Sequence, residues 1–302
     1  MIIKISSNLK KQEIFANGIE LAGIMGFDRE NGKRVWTHPL DKKVNVYTFN
    51  NPVLMTDNYR ISKLSPTLRD TIFSLFNCKP RIVDYDSVST FWDHTHINVW
   101  CPSIDTILFA KALKKILKKR FLSGIEIGCG SGFLSKFVLS KSKSLKSFLI
   151  NDINSYAIKS AKDNIHDKRA KFFVGDGLRL IDGKKFDLLL CNPPYVPRPK
   201  SIDDNPYEGI GLLYHLVHEG QKYLSPNGLI ITNISSLCWN LVFDKKPVMD
   251  FEVVESMLVP LKVNNILNNK KWLDYLIRLG LVKKMKNGYE YWHKINIVVL
   301  RR

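Results

Sequence analysis

Residues 191–197 read CNPPYVP and follow the apolar run FDLLL. Proline has no backbone N–H to give, so Pro193 and Pro194 stop a strand's hydrogen-bond ladder and set a stiff turn at its tip. A plain terminator needs neither Asn192 nor Tyr195. The side-chain oxygen of Asn192 and the carbonyl of Pro193 can accept both N–H bonds of a planar NH₂ group. Tyr195 adds a flat face on which an amide or a base can stack. The chemistry that calls for such a grip is reaction at a planar nitrogen, whose delocalised lone pair makes it a poor nucleophile until it is oriented. Acceptors placed there also stabilise the positive charge that develops on that nitrogen.

Upstream, IEIGCGSGF (Ile125 to Phe133) places Gly128, Gly130 and Gly132 between a strand-like run and a helical one. Glycines at these positions permit a sharp turn and let a ligand approach the backbone beside a helix N-terminus. A dinucleotide fingerprint would put its third glycine one position later, where this chain has Phe133, so the spacing favours a cofactor without a pyrophosphate. Two acids then close successive strand-like runs. Asp152 ends SFLIND, where a carboxylate can accept both hydroxyls of a ribose. Asp176 ends KFFVGD, where an acceptor can meet an adenine amine. Either alone would read as a cap on the next helix. Both together, after the glycine loop and before NPPY, read as a ligand crevice.

These residues need a scaffold that brings successive strand tips to one edge. From about residue 99 the chain alternates strand-like runs (SGIEIG, SFLIND, KFFVGD, FDLLLCN, GLIITNIS) with helical ones (SGFLSKFVLSK, SYAIKSAKDNI). Such βα repetition predicts an open, mostly parallel sheet with helices on both faces. Ahead of it, PSIDTILFAKALKKILKKR is amphipathic, with Ile104, Ile107, Leu108, Leu113, Ile116 and Leu117 on one side and lysines opposite. NKKWLDYLIRLGLVKK followed by YEYWHKINIVVLRR reads as a helix and a terminal strand pair. The first ninety or so residues mix short strand-like runs (MIIKI, RVWTH, KVNVYTF) with one helical stretch, SPTLRDTIFSLF, in which Ser65 caps and Pro66 opens the helix. The chain therefore divides into a small mixed α/β N-terminal domain, 1–95, expected to recognise substrate, and an α/β domain over 96–302.

The order G-x-G-x-G, acidic strand end, GD strand end, NPPY resembles the Rossmann-like S-adenosylmethionine-dependent methyltransferases over roughly residues 99–240. Within them, DLLLCNPPYVP and the later GIGLLYHLVHEGQKYLSPNGLIITNIS are similar to the HemK/PrmC family, which methylates glutamine in peptide release factors. The resemblance implies a mostly parallel seven-stranded sheet. It further implies that Glu126, Gly128, Cys129, Gly130 and Gly132 surround the methionine part of S-adenosylmethionine, the donor that leaves as S-adenosylhomocysteine. Asp152 and Ile153 would lie at the ribose, and Asp176 and Gly177 at the adenine. Asn192, Pro193, Pro194 and Tyr195 would hold the target nitrogen, with Asn192 also beside the cofactor. CPSIDT (Cys101 to Thr106) resembles the segment that closes over the methionine end, which adds Thr106. The N-terminal segment departs from the all-helical recognition domain usual in that family.

Composition bounds the partners. The 302 residues carry a formal net charge of +18. Residues 1–90 hold 13 Lys/Arg against 9 Asp/Glu, a net +4, so 18 less 4 leaves +14 on the rest. An excess of that size suits anionic partners, although a bias toward Lys, Asn and Ile codons would produce it too. The acceptor expected from the resemblance is a glutamine side chain of a translation factor. The charge keeps open an exocyclic adenine or guanine amine in RNA or DNA, and, further off, a non-catalytic nucleic-acid-binding protein on the same fold. Five cysteines without a C-x-x-C pair fit reduced thiols. With no apolar run of membrane-spanning length and no secretory signal in MIIKISSNLKK, a cytoplasmic protein is expected. His94 with His96, and His215 with His218, lack the further ligands a metal needs and are expected to be ordinary packing or surface residues. The lysines from Lys111 to Lys119 are expected on the solvated side of their helix.

Overall fold

The computed structural model describes residues 12–14, 23–28, 33–37, 45–48, 81–92, 98–199, 209–261, 264–267, 269–286 and 289–301. The expected helix in SPTLRDTIFSLF, the run MIIKI and the pair His94 and His96 lie outside these residues.

The larger sheet is built from βα units. Strand β7 (Ser123–Ile127) leads to helix α2 (Phe133–Lys141), β8 (Ser147–Asp152) to α3 (Ser155–Asn164), β9 (Ala170–Val174) to α4 (Gly177–Leu180), and β10 (Phe186–Cys191) to α5 (Gly211–Glu219) and β11 (Leu224–Ser235). Helix α1 (Ile104–Ile116) precedes β7. After β11 come α6 (Trp239–Val242), β12 (Asp250–Pro260), α7 (Asn264–Leu267), α8 (Lys270–Arg278), β13 (Val282–Lys286) and β14 (Tyr289–Arg301). The strands lie in the order β12-β14-β11-β10-β7-β8-β9, with β13 paired to β14. From β9 to β11 every pairing is parallel, and β14 runs antiparallel to both β11 and β12. This is the expected mostly parallel sheet, with β13 added to seven strands along the main path.

The chain leaves β7 toward β8 and β9 on one side, then returns to lay β10 on the other. The carboxyl ends of β7 and β10 thus form a topological switch point, where open α/β sheets hold ligands. Register brings the tips level: Ile127 lies opposite Asn151 on one side and Cys191 on the other.

Strand β10 shows why its sequence is continuously apolar. Leu188 and Leu190 join the core under α1, α2 and α3, while Leu189 and Cys191 join the opposite core under α5. A central parallel strand is buried on both faces, and each such leucine contributes roughly 1.5–3 kcal/mol by leaving water.

A second, six-stranded antiparallel sheet follows chain order: β1 (Gln12–Ile14), β2 (Gly23–Asp28), β3 (Lys33–Thr37), β4 (Asn45–Thr48), β5 (Arg81–Tyr85) and β6 (Val88–Trp92). Arg34–Thr37 of RVWTH and Asn45–Thr48 of KVNVYTF thus form strands as expected. Asp86 and Ser87 join β5 to β6 with φ of 51° and 66°, the two-residue turn whose twist suits a hairpin. This hairpin docks on the helices of the larger sheet. Val83, Tyr85, Val88 and Trp92 share the core under α1 and α2. Asp86 pairs with Lys114 at 2.9 Å and Lys141 at 3.1 Å. Asn164 completes the contact, accepting from the Phe91 N–H at 2.7 Å and donating to its carbonyl at 2.8 Å.

Part of the basic side of α1 is therefore engaged rather than simply solvated. Lys111 and Lys115 both reach Glu255 on β12, at 3.3 and 2.6 Å. The β12 strand had no clear sequence signal: its side chains are mostly exposed or half-buried, and a bulge between Val253 and Glu255 breaks its alternation.

Candidate active site

The glycine loop follows β7 directly. Gly128, Gly130 and Gly132 all have positive φ, 75°, 52° and 83°. The Gly128 and Cys129 N–H groups donate to the Asn151 carbonyl, both at 2.9 Å, tying the loop to the tip of β8. A Cβ on Gly128 would meet nothing within 4 Å, so the loop faces open space there. Gly132 differs: a Cβ would stand 3.0 Å from both the Ala161 Cβ and the Ile165 Cδ1. Strained backbone and a closed neighbourhood act together, so Gly132→Ala is expected to lower the free energy of unfolding by about 1–3 kcal/mol, read from urea unfolding.

Two carboxylates flank the loop. Glu126, 1 % exposed on β7, receives a hydrogen bond from the Ser135 hydroxyl on α2. Among the described residues no Lys, Arg or His pairs with it. Burial pushes its pKa up to about 8, the Ser135 bonds oppose the rise, and the nearby Asp152 charge adds to it. Asp152, at the tip of β8, accepts from the Gly130 N–H at 2.9 Å through one oxygen and from the Asn154 N–H at 2.9 Å through the other. Burial raises its pKa while these backbone donors lower it. Ile153 beside it is 49 % exposed, an apolar face turned outward.

At the tip of β9, Asp176 caps α4, accepting from the Leu178 N–H at 2.9 Å and the Arg179 N–H at 3.4 Å, with the Arg179 guanidinium 3.5 Å from its other oxygen. Gly177 fits only as glycine, since a Cβ would overlap the Asn151 amide and lie 2.8 Å from the Ile127 Cγ2. Asn151 itself bridges β8 and β9, donating to the Phe173 and Gly175 carbonyls at 3.2 and 2.9 Å. Cys129 is buried, and its Sγ–H points to the Gly130 carbonyl at 3.6 Å.

NPPY projects from the tip of β10, with Pro193 buried and Asn192, Pro194 and Tyr195 half-buried. The Asn192 amide N–H donates to Asp105 at 3.1 Å. Its amide oxygen is buried and has no hydrogen-bond partner among the described residues. The Tyr195 hydroxyl is held well above the usual tyrosine range by burial first and the nearby Asp105 charge second. Its ring lies 6.0 Å from that of His293, whose Nδ1 is 2.8 Å from the Ser235 hydroxyl. Thr106 stands in the first turn of α1, where its hydroxyl accepts from the Ser103 N–H at 3.2 Å. The turn is braced from outside as well: the Trp272 indole N–H on α8 donates to the Pro197 carbonyl at 2.8 Å.

The residues singled out in the sequence thus gather at one edge of one sheet. Asp105 and Trp272 are additions. Asp105 sits next to Thr106 inside CPSIDT, and its signal was an acid in the first turn of a helix, which is common for purely helical reasons. His215 and His218 pack as expected, against the Tyr223 hydroxyl at 3.0 Å and the Val242 carbonyl at 2.8 Å. Four of the five cysteines, Cys101, Cys129, Cys191 and Cys238, are free and buried. Among the described residues no helix is long and apolar enough to cross a membrane.

A sheet of this order, with a glycine loop after β7, acids at the next two strand tips and NPPY after β10, defines a Rossmann-like methyltransferase. Residues 95–238 match the methyltransferase small domain family. A Methanocaldococcus jannaschii protein assigned the name protein N5-glutamine methyltransferase is 34 % identical over 153 residues, 47 % of this chain and 75 % of its own. Release factor glutamine methyltransferases of Aquifex aeolicus and Borreliella burgdorferi are 30 % and 26 % identical, over 42 % and 52 % of this chain. The chain spans only 51 % and 58 % of the length of those two. The chain belongs to the methyltransferase small domain family, in its HemK/PrmC-like branch, and is an N-methyltransferase.

Proposed function

We propose that this chain methylates the side-chain amide of a glutamine in a translation factor, with S-adenosylmethionine as donor, in the cytoplasm. The observation that carries this reading is the Asn192 amide oxygen, buried yet without a partner among the described residues. Burying such an acceptor unpaired costs about 1–3 kcal/mol, so it fits a site completed by an N–H from outside. With the Pro193 carbonyl it can take both hydrogens of a planar NH₂, leaving the nitrogen lone pair free along one direction.

The remaining groups fit the donor's parts. Glu126 offers a buried carboxylate to an ammonium, and the open space over Gly128 leaves room beside it. Cys129, Gly130, Gly132 and Thr106 complete that end. Asp152 can accept from a ribose diol, Ile153 offers an apolar face, and Asp176 with Gly177 would meet the adenine. S-adenosylmethionine supplies an already activated sulfonium methyl when bound. The chain's part is therefore to hold and align, and good alignment supplies roughly 7–11 kcal/mol of a barrier. Tyr195 contributes a stacking face for the acceptor amide. Residues 1–95 are proposed to help recognise the macromolecule that carries it.

The names of the relatives support glutamine. The net charge of +18 favours a second acceptor, a base amine in nucleic acid. Lys111, Lys114, Lys115 and Lys141 weigh against it, since they are already paired with Glu255 or Asp86. Radiolabelled methyl transfer separates the two. On the glutamine reading, purified release factor takes up label, and labelling of fractionated extract survives nuclease. Label that is lost with nuclease, and that falls steeply with salt on naked RNA or DNA, would overturn it.

A further inference from the structure

An asparagine side chain is nearly symmetric in shape, and either end of its carboxamide fits the same space. Only one orientation serves a site that must accept a hydrogen bond. With the amide oxygen outward, Asn192 meets an incoming N–H; with the NH₂ outward, donor faces donor. The turn's two prolines fix the backbone but do not choose between these states.

The choice is made from α1. Asp105 is 7 % exposed, and two donors converge on it: the Ser103 hydroxyl on one oxygen and the Asn192 Nδ2–H on the other at 3.1 Å. The Asp105 oxygen accepts from the NH₂ end of Asn192 and so leaves the oxygen end for the acceptor. Its own place is set by the cap that opens α1 and by the ion pairs that tie α1 to β12 and to the β5–β6 hairpin.

We infer that Asp105 is a positioning residue that selects the productive orientation of the Asn192 amide, acting on the acceptor nitrogen through Asn192 rather than by touching it. This inference rests on the reading of Asn192 as the acceptor's partner. Asp105→Asn keeps the shape but offers one acceptor and a donor in place of two acceptors, so one of the two converging donors loses its match. kcat should fall roughly ten- to a hundredfold, the loss attached to a hydrogen bond to a charged group, with the Kd for S-adenosylmethionine unchanged. Adding Asn192→Asp to Asp105→Asn makes both ends of side chain 192 acceptors, one of which takes the N–H offered from position 105. Orientation then no longer matters, and the double variant should be at least threefold faster than Asp105→Asn alone. A merely structural Asp105 gives additive or worse loss.

The assay is methyl transfer to purified release factor, or to the extract fraction that takes up label, with Asn192→Ala alongside. Full activity of Asn192→Ala would overturn the reading of Asn192 itself. An inactive Asn192→Ala with a fully active Asp105→Asn, or a double variant no faster than the single, would overturn only the role of Asp105. Should Asp105→Asn not fold, nitrogen-15 spectra of the wild-type side chain decide. Asn192 NH₂ hydrogens slow to exchange with deuterium support the inference, and rapid exchange overturns it.

Discussion

Replacing Asn192 by alanine is expected to lower kcat by about 10²–10³-fold, the loss that follows removal of one group aimed at transition-state charge. The Kd for S-adenosylmethionine, measured by calorimetry, should move by no more than about threefold, since a contact made to the acceptor contributes to transfer and not to donor binding. The division follows from where Asn192 stands. Its N–H end is spent on Asp105, and its oxygen end is the unpartnered acceptor at the tip of β10. Alanine removes that oxygen and leaves Glu126, Asp152 and the glycine loop untouched. The variant should stay folded, because the rigid part of the turn lies in Pro193 and Pro194, and the Trp272 bond to Pro197 braces it further. Equal loss of kcat and of donor affinity would place Asn192 at the cofactor instead.

How much of this was legible beforehand follows from the range over which each feature acts. The glycine loop could be read from the sequence because its requirement is local. Three positions with positive φ accept little but glycine, and the strand and helix on either side are themselves local patterns. The burial of β10 on both faces is written in four consecutive apolar residues, Leu188 to Cys191. The contact between Asp105 and Asn192 spans 87 residues of chain, and that of Lys115 with Glu255 spans 140, as the numbering gives. No pattern along the chain records such pairings. Asp176 shows a different limit. The same strand-tip position suits a ligand acceptor and a helix cap, and one of its oxygens makes the cap. Only a structure could reveal that division of labour. The β12 strand escaped because an edge strand with a bulge and little burial has neither strict alternation nor a continuous apolar run.

The affinity for S-adenosylmethionine is expected to rise about tenfold per pH unit between pH 6 and 7.5, and this rise should vanish in Glu126→Gln. The cause is burial. Glu126 is 1 % exposed, accepts from Ser135 and pairs with no cation among the described residues, so its pKa stands at about 8 in the free protein. At neutral pH it therefore keeps its proton. A ligand ammonium placed against it favours the ionised form, so binding must release that proton, and binding weakens as the pH falls below about 8. Calorimetry at pH 7 in buffers of different ionisation enthalpy should register the release of close to one proton, and of none in Glu126→Gln. Stability of the free protein carries the opposite sign. A carboxyl whose pKa is raised in the folded state contributes fully below its unfolded value near 4.5 and loses that contribution as the pH climbs through about 8. The wild-type Tm should accordingly fall between pH 6 and 9, by the equivalent of a few kcal/mol at most, while Glu126→Gln stays nearly flat over that span. A wild-type Tm that falls with pH, without proton release on binding, would keep Glu126 as a buried neutral acid and move the donor's ammonium elsewhere. A flat Tm with proton release would place the titrating group outside β7. Only the two together tie the buried carboxyl of β7 to the cationic end of the donor.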